Sequence, residues 1–209
     1  MAQITSGIRS ILSHPQAYSV LQNIMGANAA RKRIVNDLIK PFPGMQILDL
    51  GCGPADILDY MEDIDYWGYD ISDQYISKAK KKFGEGKAHF ECKQFDESEL
   101  ANLPKFDVIL AIGLLHHLDD SEVIRLLMLS RMALKRGGRI LTVDPCFTPK
   151  QNIIARFLVA HDRGQNVRSK NGYVLLAKQV FESTKVMVRH QSWIPYTHCF
   201  MECTLNDTL

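Results

Sequence analysis

The sequence predicts an α/β fold with a doubly wound, largely parallel sheet, and three observations carry that expectation. A buried strand runs into a glycine turn at Ile47-Leu48-Asp49-Leu50-Gly51-Cys52-Gly53. A second apolar run closes on an acid at Tyr66-Trp67-Gly68-Tyr69-Asp70. Short apolar runs then alternate with helical stretches, the βαβ rhythm that implies parallel pairing. Strands are expected near 46–50, 65–70, 87–92, 106–112 and 138–143, with helices near 55–63, 73–83 and 120–135. Upstream, residues 1–43 read as helices packed on the domain: Ser13-His14-Pro15 opens one, and the breakers Pro41-Phe42-Pro43-Gly44 end the region. Downstream of Pro145, a helical stretch near 150–160, a charged loop and a helix near 170–182 lead to two strands, 185–193 and 198–205, close enough for an antiparallel hairpin.

The glycine turn points to a nucleotide-type cofactor. Glycine has no Cβ to exclude positive φ or to hold a ligand away, and the helix expected after it would aim its free N–H groups at the same place. Asp70 follows at the distance where doubly wound nucleotide folds keep a carboxylate for ribose hydroxyls. The third glycine of a dinucleotide fingerprint is absent, because Asp56 stands there, and an acid argues against a pyrophosphate on that helix. A ribose-bearing cofactor without phosphate fits better, and S-adenosylmethionine is the common one.

With these motifs the chain resembles the class I S-adenosylmethionine-dependent methyltransferases from Gly44 to the C-terminus. Ile47 to Ala55 is similar to the family's first motif, Asp70 to the acidic end of its second strand, and Phe106-Asp107-Val108-Ile109-Leu110-Ala111 to its fourth strand. That strand leads into Gly113-Leu114-Leu115-His116-His117-Leu118, and Leu134-Lys135-Arg136-Gly137-Gly138-Arg139-Ile140-Leu141 is similar to the turn into the fifth strand. The resemblance implies a Rossmann-like seven-stranded sheet with an antiparallel edge hairpin, helices on both faces and N-terminal lid helices. It implies one methyltransferase domain over 1–209: a lid over 1–43, a cofactor-binding core over 44–145, substrate-side helices and a loop over 146–184, and edge strands over 185–209. The implied cofactor is S-adenosyl-L-methionine, and its product S-adenosyl-L-homocysteine.

On that resemblance, Asp49, Gly51, Cys52 and Gly53 face the methionine part and Asp70 the ribose. Ile71 and Asp96 flank the adenine, and Ala111 completes the cofactor set. Asp49 has a second reading as a cap of the turn, and Asp96 a second reading as a solvated loop acid, since Gln94-Phe95-Asp96-Glu97 departs from the Gly-Asp pair of many relatives. His116, His117 and Asp144 are the catalytic candidates, because a histidine takes a hydroxyl proton near neutral pH and some natural-product O-methyltransferases use a similar set. His117 reads equally as a residue that packs or caps the following helix.

Between the fifth strand and the next helix, Arg163 and Arg168 are candidates to grip a carboxylate or phosphate on the acceptor, against a surface loop with an internal Asp162–Arg pair. Tyr18, Gln22 and Gly26 fall on one helical face and are candidates for the acceptor side, against plain helix packing.

Composition narrows the partners. A chain of 209 residues with 46% hydrophobic residues builds one sizeable core, and a net charge of +2 implies neither nucleic acid nor an anionic membrane. The basic run Lys78 to Lys82 reads as a solvated helix face. Five cysteines in no framework spacing, no secretory core in Met1 to Met25 and no apolar run of membrane length imply a cytoplasmic protein with reduced thiols. His198-Cys199 and Cys203 lie in an alternating strand pattern, so no metal is expected. The expected function is methyl transfer to an oxygen or nitrogen of a small-molecule acceptor. The alternative is a non-catalytic or regulatory protein that binds the same cofactor, since fold does not fix chemistry; a dehydrogenase is disfavoured by the missing glycine.

Overall fold

The computed structural model describes residues 27–84, 86, 88–162, 164–191 and 196–206. The chain enters through α1 (Ala27–Arg33) and a wider π turn (Ile34–Ile39) that stops where Lys40 turns left-handed. The sheet elements are β1 (Met45–Leu50), β2 (Ile64–Asp70), β3 (Ala88–Cys92), β4 (Phe106–Ile112), β5 (Leu134–Phe147), the short β6 (Arg168–Ser169), β7 (Ser183–Gln191) and β8 (Tyr196–Thr204). The helices are α2 (Asp73–Phe83), α3 (Asp120–Ala133), α4 (Ile153–Ala160) and α5 (Lys170–Ala177).

Spatial order in the sheet is β3-β2-β1-β4-β5-β8-β7, with β6 beside β5 off that path. All pairings from β3 to β5 are parallel, and β8 inserts antiparallel between β5 and β7. The expected parallel core and antiparallel edge are therefore both present. The order reverses between β1 and β4, where the carboxyl ends of parallel strands open a crevice.

Alternation along the strands divides the core into two layers. Leu48 and Leu50 of β1 join Ile109 and Ala111 of β4 and Ile140 of β5 beneath Leu127 of α3 and Tyr173 of α5. Met45, Ile47, Val108 and Leu110 face the other way, against Ile34, Val35 and Ile39 of the π turn and Ile76 and Ala79 of α2. Burial on both faces explains why β1 and β4 read as nearly continuous apolar runs.

Three elements differ from the sequence expectation. The stretch 55–63 holds only a 3₁₀ turn, Asp56–Tyr60, since Ala55 enters it left-handed at φ 56° and Met61 is already extended toward β2. The helix expected to reach 135 stops at Ala133, and β5 starts at once at Leu134. Gly137, at φ 71°, and Gly138 let the early part of β5 bulge around Phe106, whose carbonyl a Cβ on Gly138 would meet at 3.0 Å. Likewise α5 ends at Ala177 instead of near 182, because Val180 and Phe181 turn under into the core.

Candidate active site

At the carboxyl end of β1 the chain turns on Gly51 and Gly53, at φ 72° and 56°. A Cβ on Gly51 would touch Leu114 at 3.0 Å, whereas Gly53 faces open space. The turn is fastened to β2: the N–H groups of Gly51 and Cys52 donate to the carbonyl of Tyr69 at 2.8 and 3.1 Å. Asp70 completes the attachment, one carboxylate oxygen accepting from Gly53 N–H at 2.9 Å and the other from Ser72 N–H at 2.8 Å. Each oxygen retains acceptor capacity beyond that one bond. Next to it the Ile71 side chain is 55% exposed, unusual for isoleucine at the end of a core strand.

Asp49 lies deeper, buried and hydrogen-bonded by the hydroxyl of Tyr66 at 2.6 Å. Burial pushes its carboxyl up to about 7, against the lowering effect of the Tyr66 bond and with a further upward push from Asp70. Burial likewise holds the Cys52 thiol far above its ordinary value, with Asp49 and Asp70 adding to it. Gly68, opposite Asp49 in the β1–β2 register, is glycine for space: a Cβ there would come within 2.9 Å of Cys52 Sγ and 3.0 Å of the Tyr66 ring. Asp56 pairs with Arg31 at 3.1 Å and Lys82 at 3.5 Å.

Asp96 accepts from the N–H and hydroxyl of Ser98 and so caps the next 3₁₀ turn, Glu97–Ala101, its carboxyl held below the ordinary range by those two bonds. Ala111 is fully buried in the core layer under α3.

Beyond β4, Gly113 takes φ 68° and a 3₁₀ turn, Leu115–His117, carries the histidine pair. His116 is only 5% exposed. Its Nδ1 lies 2.9 Å from Oδ1 of Asp144 at the end of β5, and the same oxygen accepts the His116 backbone N–H at 3.2 Å. Its Nε2 lies 3.1 Å from Oδ1 of Asp162, whose other oxygen accepts from the hydroxyl of Tyr196. Burial alone would pull the His116 pKa down, but the bonds and charges of Asp144 and Asp162 outweigh it and push it up to about 9. Burial would raise Asp162, yet the bond and charge of His116, with help from Tyr196 and Gly164, hold it well below the carboxylate range. The half-buried His117 stacks at a tilt on His116, ring centroids 4.1 Å apart.

The segment after α4 seals this cluster. Gly164 packs so tightly that a Cβ would fall 2.1 Å from the His116 ring, and Asn166 N–H donates to the His116 carbonyl at 2.9 Å. Arg168 overturns its sequence reading as an acceptor grip. All five of its N–H donors are used within the protein, on Asp120 at 2.6 and 2.8 Å and on the carbonyls of Leu115, Leu118 and Asn166 at 2.8–3.0 Å. Asp162 pairs with His116, while Arg168 pairs with Asp120. Tyr18, Gln22, Gly26 and Arg163 lie outside the described residues. On β8, Cys199 and Cys203 are buried while His198 is on the opposite face, so the three do not converge.

Sequence reasoning missed Asp162, Gly164, Tyr66 and Tyr196. Only the glycine in a charged loop was a signal, since a lone glycine beside an acid is how a backbone comes close to a packed ring.

Residues 48–140 match the family model described as a methyltransferase domain. No curated protein matches the chain in sequence. Among solved structures, the chain is similar to the pyocyanin biosynthetic protein PhzM, with a TM-score of 0.70 and 16% identity over 97% of this chain and 62% of that one. It is similar to human N-acetylserotonin methyltransferase in complex with SAM, with a TM-score of 0.65 and 18% identity over 95% and 58%. It is also similar to the plantazolicin methyltransferase BpumL in complex with a triazolic desmethyl analogue and SAH, with a TM-score of 0.61 and 18% identity over 95% and 94%. The chain thus spans about three fifths of the length of PhzM and of the human enzyme.

Proposed function

We infer that the chain, whose residues 48–140 match a methyltransferase domain, is a class I S-adenosylmethionine-dependent enzyme that moves a methyl group to a small-molecule acceptor. An oxygen acceptor is favoured over nitrogen. The carrying observation is the fastening of the acid at the end of β2 to the glycine turn, the 2.9 Å bond from Gly53 N–H to Asp70, with the His116–Asp144 pair at the end of the same sheet.

The residues present fit the cofactor. Gly53 leaves open space at the turn, Asp70 keeps lone pairs for two ribose hydroxyls, exposed Ile71 offers an apolar face to a base, and Asp49 is a buried acid for an ammonium. Asp56, tied to Arg31 and Lys82, leaves no place for a pyrophosphate. When bound, S-adenosylmethionine would supply an electrophilic methyl group. The chain's own residues supply orientation, dryness and a place for a proton. Asp144 takes the Nδ1–H of His116 and so fixes Nε2 as the nitrogen that meets an acceptor proton. Gly164 packs against the buried ring and keeps water from it, which strengthens every charge interaction around it.

A second reading, cofactor binding without transfer, is favoured by one observation: both ring nitrogens of His116 face carboxylates. Calorimetry tests the first part, with S-adenosylmethionine and S-adenosylhomocysteine expected to bind and NAD expected to bind far more weakly. NAD binding tighter than either would remove the reading. A screen of radiolabelled methyl transfer to small hydroxyl and amine acceptors then separates enzyme from binding protein.

A further inference from the structure

We propose that the carboxylate of Asp162 stands where the acceptor's hydroxyl oxygen sits during methyl transfer, so that the acceptor must displace it from Nε2 of His116. This rests on the methyltransferase reading above. With Nδ1 held by Asp144, Nε2 is the one ring nitrogen left to meet an acceptor, and Asp162 Oδ1 covers it at 3.1 Å. His116 is only 5% exposed and Gly164 lies against its ring, so among the described residues there is no second approach to that nitrogen.

The attachment of Asp162 is also suited to exchange. Asn166 and Arg168 anchor the downstream chain to the 115–118 turn by bonds that do not involve Asp162. The Asp162 side chain is held at the site by His116, Tyr196 and its own turn to Gly164 N–H at 3.1 Å. Rotation of that one side chain uncovers Nε2, a group that suits an oxygen ligand, without undoing the anchor.

The titratable groups around His116 are Asp144 from β5, Asp162 after α4, His117 in its own turn, and Tyr196 and His198 from β8. With Asp162 in place two carboxylates keep the imidazole protonated, and a protonated ring takes no proton. Replacing that carboxylate with a neutral hydroxyl leaves Asp144 as the one facing carboxylate, so the Nε2 proton is released to solvent and the ring becomes a base. In the transfer itself the acceptor's O–H bond breaks and its proton goes to Nε2. The O–CH₃ bond forms as the methyl–sulfur bond breaks, with that electron pair staying on sulfur. Displacement of Asp162 thus converts His116 from acid to base.

The test uses the full chain, with Asp162→Asn, Asp162→Ala and Asp162→Glu. NMR titration of the His116 ring C–H should give a midpoint near 9 in the wild type, at least one pH unit lower in Asp162→Asn, and near the wild type in Asp162→Glu. Phenol, as the hydroxyl probe with S-adenosylhomocysteine present, should bind Asp162→Ala at least tenfold more tightly than the wild type or Asp162→Glu. An unmoved midpoint in Asp162→Asn, or equal phenol affinity in wild type and Asp162→Ala, overturns the proposal. S-adenosylhomocysteine affinity, measured for each protein, reports folding and separates the two readings: its absence in the wild type removes the methyltransferase reading, while the titration still decides what covers Nε2.

Discussion

At His116 burial opposes the proton and two carboxylates restore it, and the balance has a consequence for stability. The folded pKa, about 9, lies above the unfolded 6.5, so the group's contribution is fully present below pH 6.5 and is lost as pH rises through 9. The shift corresponds to about 3 kcal/mol at most, counted once for the whole cluster, since the lowered Asp162 reports the same contact. Thermal unfolding from pH 6 to 10 should show a falling midpoint in the wild type and a flatter profile in His116→Gln. Asp49 makes the complementary case, an acid raised to about 7 by burial. A cofactor ammonium beside it would draw the pKa down, so binding near pH 7 should release a proton, visible as a dependence of the calorimetric heat on buffer ionisation enthalpy. Identical heats in phosphate and Tris after correction for dilution would place the ammonium elsewhere. His116 and Asp49 both stood in the sequence as candidates, but their states did not, because Asp162 and Tyr66 reach them across loop path and strand register that no local pattern encodes.

Among the elements, the turn from Leu115 to Leu118 is held from outside by Arg168, and the measurement that checks its role is one of stability, not of kinetics. Arg168→Ala leaves the Leu115 and Leu118 carbonyls without their donor, so a loss of about 2–4 kcal/mol in chemical denaturation is expected, with cofactor affinity little changed. The exposed Asp120 adds little to that figure. Lysine should rescue poorly, as it lacks the planar fork that reaches three carbonyls and a carboxylate at once. A second element-level expectation concerns β2: Gly68→Ala forces Cys52, Tyr66 and Phe90 apart and should cost about 1–3 kcal/mol. The strands themselves were legible from hydrophobic runs closed by glycine or acid, and α2 and α3 as the helical stretches between them; the structure starts these helices at Ser72 and at the Asp119–Glu122 capping box. The stretch after the glycine turn misled because its composition suits a helix, whereas the left-handed Ala55 and the extended Met61 bound it to a 3₁₀ turn.

Across the whole molecule the sheet order follows from connection rules, since parallel strands joined by helical crossovers wind outward from a central pair, and the first and fourth strands were therefore expected at the crevice. What the pattern does not contain is which side chain meets His116 at the far end of the sheet. The insertion of β8 between β5 and β7 also has a bearing on the order in which the molecule assembles. The parallel strands β1 to β5 can pair as soon as they exist, but β5 keeps an open edge until residues 196–204 arrive from far along the chain, and β7 has its sheet neighbour only in β8. Bringing Pro145 to His198 closes a loop of the same order as bringing Ile47 to Val108 across β1 and β4, and both are slow, whereas β7 meets β8 as a local hairpin. During refolding, amides of β5 that face β8 should therefore gain exchange protection together with those of β1 and β4, and Tyr196 should reach Asp162 only with that step. An exposed β5 edge is a template for another chain in the meantime, so refolding yield should fall as protein concentration rises.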